Sequence, residues 1–205
     1  MDGQEYLNKI AGDVRPAKKS RASGLMGSPL MKVAAIGVVL ILVVMVVGMA
    51  LGSGKGGVEK QSTELLLHID NTSAVISTYQ SQLKSSTLRS LSASLAAILS
   101  NTSRDLTNYM TEKYNYKANS VDKNIIEKAT LSKDELDNVL FNAKINGVLD
   151  RIFAHKMAYE ISLIKAEEAS VHEIARDDAL KTMLATSYDS LDNLYTQFSD
   201  FSETK

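Results

Sequence analysis

Three histidines, His68, His155 and His172, are the side chains of this 205-residue sequence best suited to hold a metal or move a proton near neutral pH. In a helical bundle, a dinuclear carboxylate centre needs Glu-x-x-His on two helices and a further glutamate from each of the other two. The residues three positions before the histidines are Leu65, Ile152 and Ala169, so that pattern is absent. Glu168 and His172 stand four apart and share a helix face, where carboxylates of the next helix could complete a cation site. The same spacing is an ordinary hydrogen bond on a helix surface, which is the expectation adopted. His155, beside Lys156, and His172, beside Glu173, are expected at the surface; His68 follows three leucines and is expected to be partly buried and structural.

Nucleophilic chemistry has little to work with. The chain has no cysteine, no G-x-S-x-G and no glycine-rich phosphate loop. No catalytic residue, metal ligand or cofactor is therefore expected, and the protein is read as a non-enzyme. Asn71-Thr72-Ser73 and Asn101-Thr102-Ser103 have the form of glycosylation triplets, but each middle threonine falls on the inward stripe of a helix, so both are read as chance. Tyr109, Tyr114 and Tyr116 gather where a helix meets an irregular stretch, an arrangement that either covers the open end of a bundle or offers a partner-binding surface.

The elements that would position these residues begin after an apolar run, Val33 to Leu51, nineteen residues without a charge. At about 1.5 Å per residue this is close to the roughly 30 Å of a bilayer's hydrocarbon core, and a single membrane span over 32–52 is expected. Residues 1–31 form a basic tail, expected to be disordered; Arg15, Lys18, Lys19, Arg21 and Lys32 precede the span, against Lys55 and Lys60 after it. This asymmetry places the tail in the cytoplasm and the remainder outside, at the cell membrane. Membrane lipids are thus partners of the span and tail. Gly48-Met49-Ala50 would permit cleavage, yet the run is longer and starts later than a signal peptide's, so an uncleaved anchor is expected. Beyond the membrane the balance is acidic, which argues against nucleic acid as a partner.

After a Gly-rich linker over 53–57, residues 58–202 contain no proline and one glycine, Gly147. Long helices tolerate that restriction and sheets with tight turns do not, so an all-α domain is expected. Leu65, Ile69, Thr72, Ile76, Tyr79 and Leu83 step by three and four, as do Leu88, Leu91, Leu95, Ile98, Thr102, Leu106 and Tyr109. Lys84-Ser85-Ser86 between them supplies a turn and an N-cap. Lys117 to Leu131 reads as an irregular crossover, after which Ser132-Lys133-Asp134-Glu135 has the form of a capping box and opens a short helix to Asn146-Gly147. A third long helix carries Leu149, Phe153, Met157, Ile161 and Ile164 inward. The fourth, capped by Asp177 or Asp178, carries Leu180, Leu184, Tyr188, Leu191, Leu194, Phe198 and Phe201. A long link between helices two and three lets those two run parallel, as in a four-helix bundle with a crossover.

Leu149-Asp150-Arg151-Ile152-Phe153, with Gly147 and a capped helix before it, resembles the F-D-x-x-Y entry to the third helix of a ferritin-like family of bacterial envelope proteins of undefined function. Glu167-Glu168-Ala169 and Asp178-Ala179-Leu180-Lys181 extend the likeness across the helical domain. Leu149 and Phe153 replace the family's aromatic pair, and Glu160 stands where the family has a histidine. The resemblance implies an extracytoplasmic, ferritin-like four-helix bundle in a bacterial envelope. The resulting expectation is a membrane-anchored interaction module with an envelope or surface protein as partner; the alternative is a ligand-sensing or metal- or haem-associated bundle serving a membrane complex.

Overall fold

The computed structural model describes residues 55–203, and among them every regular element is helical. The helices are α1 (Lys55–Tyr79), α2 (Ser86–Tyr114), α3 (Lys123–Ile145), α4 (Leu149–Ile174) and α5 (Asp178–Glu203). The expected span, the tail and residues 53–54 of the linker lie outside the described residues. No helix among the described residues is long and apolar enough to cross a membrane. α1 already includes Lys55, Gly56 and Gly57, which the sequence reading assigns to the linker.

Side-chain caps set the helix ends. Ser85 Oγ accepts from Leu88 N at 3.4 Å and starts α2; Asp177 Oδ1 accepts from Ala179 N at 3.0 Å and starts α5, both as the sequence suggests. The crossover differs. Asp122 Oδ1 accepts from Asn124 N at 2.7 Å and starts α3 ten residues before the expected Ser132. Ser132 lies inside the helix, and the irregular stretch shrinks to the residues between Asn115 and Asp122. The reason is tertiary: Ile125, Ala129, Leu136, Leu140 and Ala143 form a sparse inward stripe that becomes a helix face only when it lies on other helices.

α1 packs on α2, α2 on α5, α5 on α4 and α4 on α1, which closes a ring of four helices; α3 lies outside the ring against α1 and α4. The directions follow from the contacts at the two ends. Asp150, in the first turn of α4, accepts from the backbone N–H groups of Lys84 and Ser85 at 3.0 and 2.8 Å, tying it to the turn between α1 and α2. At the other end Lys113 pairs with Asp177 at 2.9 Å, so α2 and α4 run parallel. α3 returns alongside α1 in the same direction: Asn71 Nδ2 donates to Ala129 O at 2.9 Å and Tyr79 Oη to Asp137 O at 3.1 Å, the same offset in both cases.

The core contains the expected inward residues of α1 and α4 and, on α2, all but Ile98 and Tyr109, which are partly buried against it; Phe153 of α4 and Phe198 of α5 tilt against each other at 6.5 Å. One expected core residue is displaced. Tyr188 sits at the rim, under Lys165 Nζ 4.5 Å from its ring centre, and Ser187 is buried in its place.

Gly147 ends α3 with φ +71°, and Val148 N donates back to Ala143 O at 3.0 Å, closing the helix in a Schellman turn. A Cβ at this position would meet no atom within 4 Å, so only the left-handed backbone resists a side chain. Gly147→Ala should cost about 1 kcal/mol, a drop in Tm of roughly 2–4 °C in thermal unfolding. A larger loss would mean the turn also carries packing.

Candidate functional site

On α4, Glu160 and Glu167 are seven residues apart, two turns along one face, and His68 of α1 reaches between them. His68 Nε2 lies 2.9 Å from Glu160 Oε2, and Nδ1 lies 3.0 Å from Glu167 Oε2. A neutral imidazole has one donor and one acceptor, whereas both partners here are carboxylate acceptors; the imidazolium alone satisfies both. Burial by itself pushes the His68 pKa down. The two carboxylate hydrogen bonds and their charges overcome it and hold the pKa up at about 10. The His68 and Glu160 side chains are 16% and 10% exposed, so this is an interior ion pair, with Glu167 at the rim.

The next residue on α4 turns the other way. Glu168 is buried, and neither carboxyl oxygen has a hydrogen-bond partner. Its polar neighbour is Ser187 of α5, whose Oγ lies 2.8 Å from Thr102 Oγ1 of α2. Thr102 Oγ1 also lies 3.0 Å from Ile98 O, so the two hydroxyls and this carbonyl form a short polar run next to the Glu168 carboxyl. Burial pushes the Glu168 pKa up to about 7, with Ser187 and Lys165 opposing and Glu167 assisting. The neutral acid is the form this interior favours. Lys165, also on α4, pairs with Asp192 and lies over Tyr188.

Beside His68 a cavity of about 170 Å³ opens between α1, α3 and α4. His68 itself, Glu64, Glu167, Lys128 and Lys133 contribute its charged wall groups. Among the described residues no three His, Asp or Glu side chains are placed to hold a metal ion.

The residues singled out from sequence fall in different places. His155 and His172 are exposed, as expected. Glu168 and His172 do not form the expected surface pair, because Glu168 is on the interior face and only His172 is outside. Thr72 and Thr102 are buried and the Asn71 amide is engaged with α3. Tyr109, Tyr114 and Tyr116 come together half-buried against the core, Tyr109 and Tyr114 edge to face at 6.2 Å. Tyr114 and Tyr116 also line a groove at the start of the crossover with Lys60, Thr63 and Asp122. Sequence reasoning finds His68 but misses both its partners. The available signal is Glu160 and Glu168 occupying apolar positions of the α4 stripe, where a carboxylate needs a reason to be.

Comparison with known proteins finds no family model, curated protein or solved structure that matches this chain.

Both raised pKa values make stability fall as pH rises. Glu168 binds its proton more tightly folded than unfolded, so its contribution is complete below about pH 4.5 and lost on rising through about 7, on the order of 3 kcal/mol in all. For His68 the contribution is complete below about 6.5 and lost on rising through about 10. Denaturant unfolding of the full chain across pH 4 to 10 should show both declines. Glu168→Gln should flatten the lower one and leave the upper, whereas His68→Gln should do the reverse. His68→Ala at pH 7 strands the buried Glu160 and should cost roughly 3–5 kcal/mol.

Proposed function

We propose that this chain is a non-catalytic, membrane-anchored binding module. In this reading residues 33–51 cross the cell membrane once, with the N-terminal tail in the cytoplasm. The helices form an extracytoplasmic, ferritin-like four-helix bundle of a bacterial envelope, with α3 as an added crossover helix. The apolar run and its basic flank support the anchor, and the closed ring with parallel α2 and α4 supports the bundle.

One observation carries the binding role: the outward face of α3. Leu131, Phe141 and Ile145 are 64, 51 and 67% exposed. At 100° per residue they fall within about a quarter turn of the helix. Val148, also exposed, follows in the turn between α3 and α4, while the opposite face of α3 is spent on α1 and α4. An aromatic side chain amid exposed aliphatics is what a protein partner's apolar face would cover. The groove at Tyr114 and Tyr116 lies at the other end of the same crossover and extends the surface.

Photo-crosslinking in cells from Phe141 and, separately, from Tyr116 tests this, with adducts identified by mass spectrometry. The same envelope protein should recur in the adducts from Phe141 and disappear with Ile145→Glu. Recovery of only unlinked chain, lipid or a second copy of this chain would overturn it.

A further inference from the structure

The cavity beside His68 has charged walls of opposite sign that do not reach each other. On its α3 side are Lys128, at the mouth, and Lys133, half-buried; on its α1 side is Glu64, also half-buried. None of these three side chains makes a hydrogen bond or an ion pair with a described residue, whereas the side chain of Glu167, on α4, is held by His68. The apolar part of the lining is Ile125, Ala129, Leu136 and Leu163. A space of about 170 Å³ corresponds to five or six water molecules at roughly 30 Å³ each, the size of a compact organic molecule.

A ligand of one charge would satisfy one wall and leave the other facing it uncompensated. A molecule with an ammonium and a carboxylate a few bonds apart meets both, and a short apolar substituent would rest on the aliphatic lining. We propose that this cavity is a binding site for a small zwitterion of the amino-acid class, its carboxylate held by Lys128 and Lys133, its ammonium by Glu64. His68 acts as a positioning residue: by holding Glu167 it keeps that carboxylate from closing the cavity on the lysines. This site is separate from the outward face of α3, and neither proposal depends on the other.

The test uses the full chain in detergent at pH 7, titrated calorimetrically with each of the common L-amino acids, and with butylamine and butyrate as probes of one charge. At least one small amino acid should bind, with neither single-charge probe matching it. Glu64→Gln and Lys133→Met should each weaken that binding by about tenfold or more, the loss expected when a charged hydrogen-bond partner is removed. Both positions are off the core, and unchanged circular dichroism and Tm in the two variants would separate lost binding from lost folding. Absence of heat with every amino acid, equal binding of butyrate or butylamine, or full affinity in both variants would each overturn the proposal.

Discussion

The interaction on which the site depends is the clamp of His68 between Glu160 and Glu167. It joins α1 to α4 along the edge over which α3 lies. An interior charge is expensive to desolvate, and here three groups share that expense through two short hydrogen bonds, one at each ring nitrogen. Neither carboxylate can be removed without leaving an imidazolium donor unmatched. The clamp therefore fixes the rotation of α4 about its axis: with Glu160 and Glu167 turned toward α1, the next residue, Glu168, must face α2 and α5.

That rotation explains why two polar clusters of opposite character sit back to back. One is an ion pair with a rim carboxylate, open to a cavity; the other is a run from Ile98 O through Thr102 to Ser187, beside a buried carboxyl group that has no hydrogen-bond partner. Glu167 is the electrostatic link, since its charge raises the Glu168 pKa while being partly neutralised by His68.

The crossover helix gives the clamp its setting. Its inward stripe is thin, Leu136, Leu140 and Ala143, and two polar contacts add to it along α1, the Asn71 amide to Ala129 and the Tyr79 hydroxyl to Asp137. A helix docked this way leaves room behind it, hence the cavity, and keeps part of its apolar surface outside, hence the exposed Phe141 and Ile145. The features assigned to binding both follow from laying an incompletely amphipathic helix on a ring of four that is already closed.

Much of the architecture can be read from the residues one after another. Absence of proline, threefold and fourfold steps of leucine and isoleucine, and the caps at Ser85 and Asp177 are local signals, because an α-helix is built from contacts between residues three and four apart. The surface positions of His155 and His172 follow from the same periodicity. The early half of α3 does not, since Ile125 and Ala129 make a recognisable face only against α1. Nor do the partners of His68, which lie 92 and 99 residues away. Sequence alone determined that α4 carries glutamates among its apolar positions. Which of them meets a histidine, which is left without a donor, and where a cavity opens between them were decided by the tertiary structure, because the register at which two helices cross depends on the packing of all their neighbours.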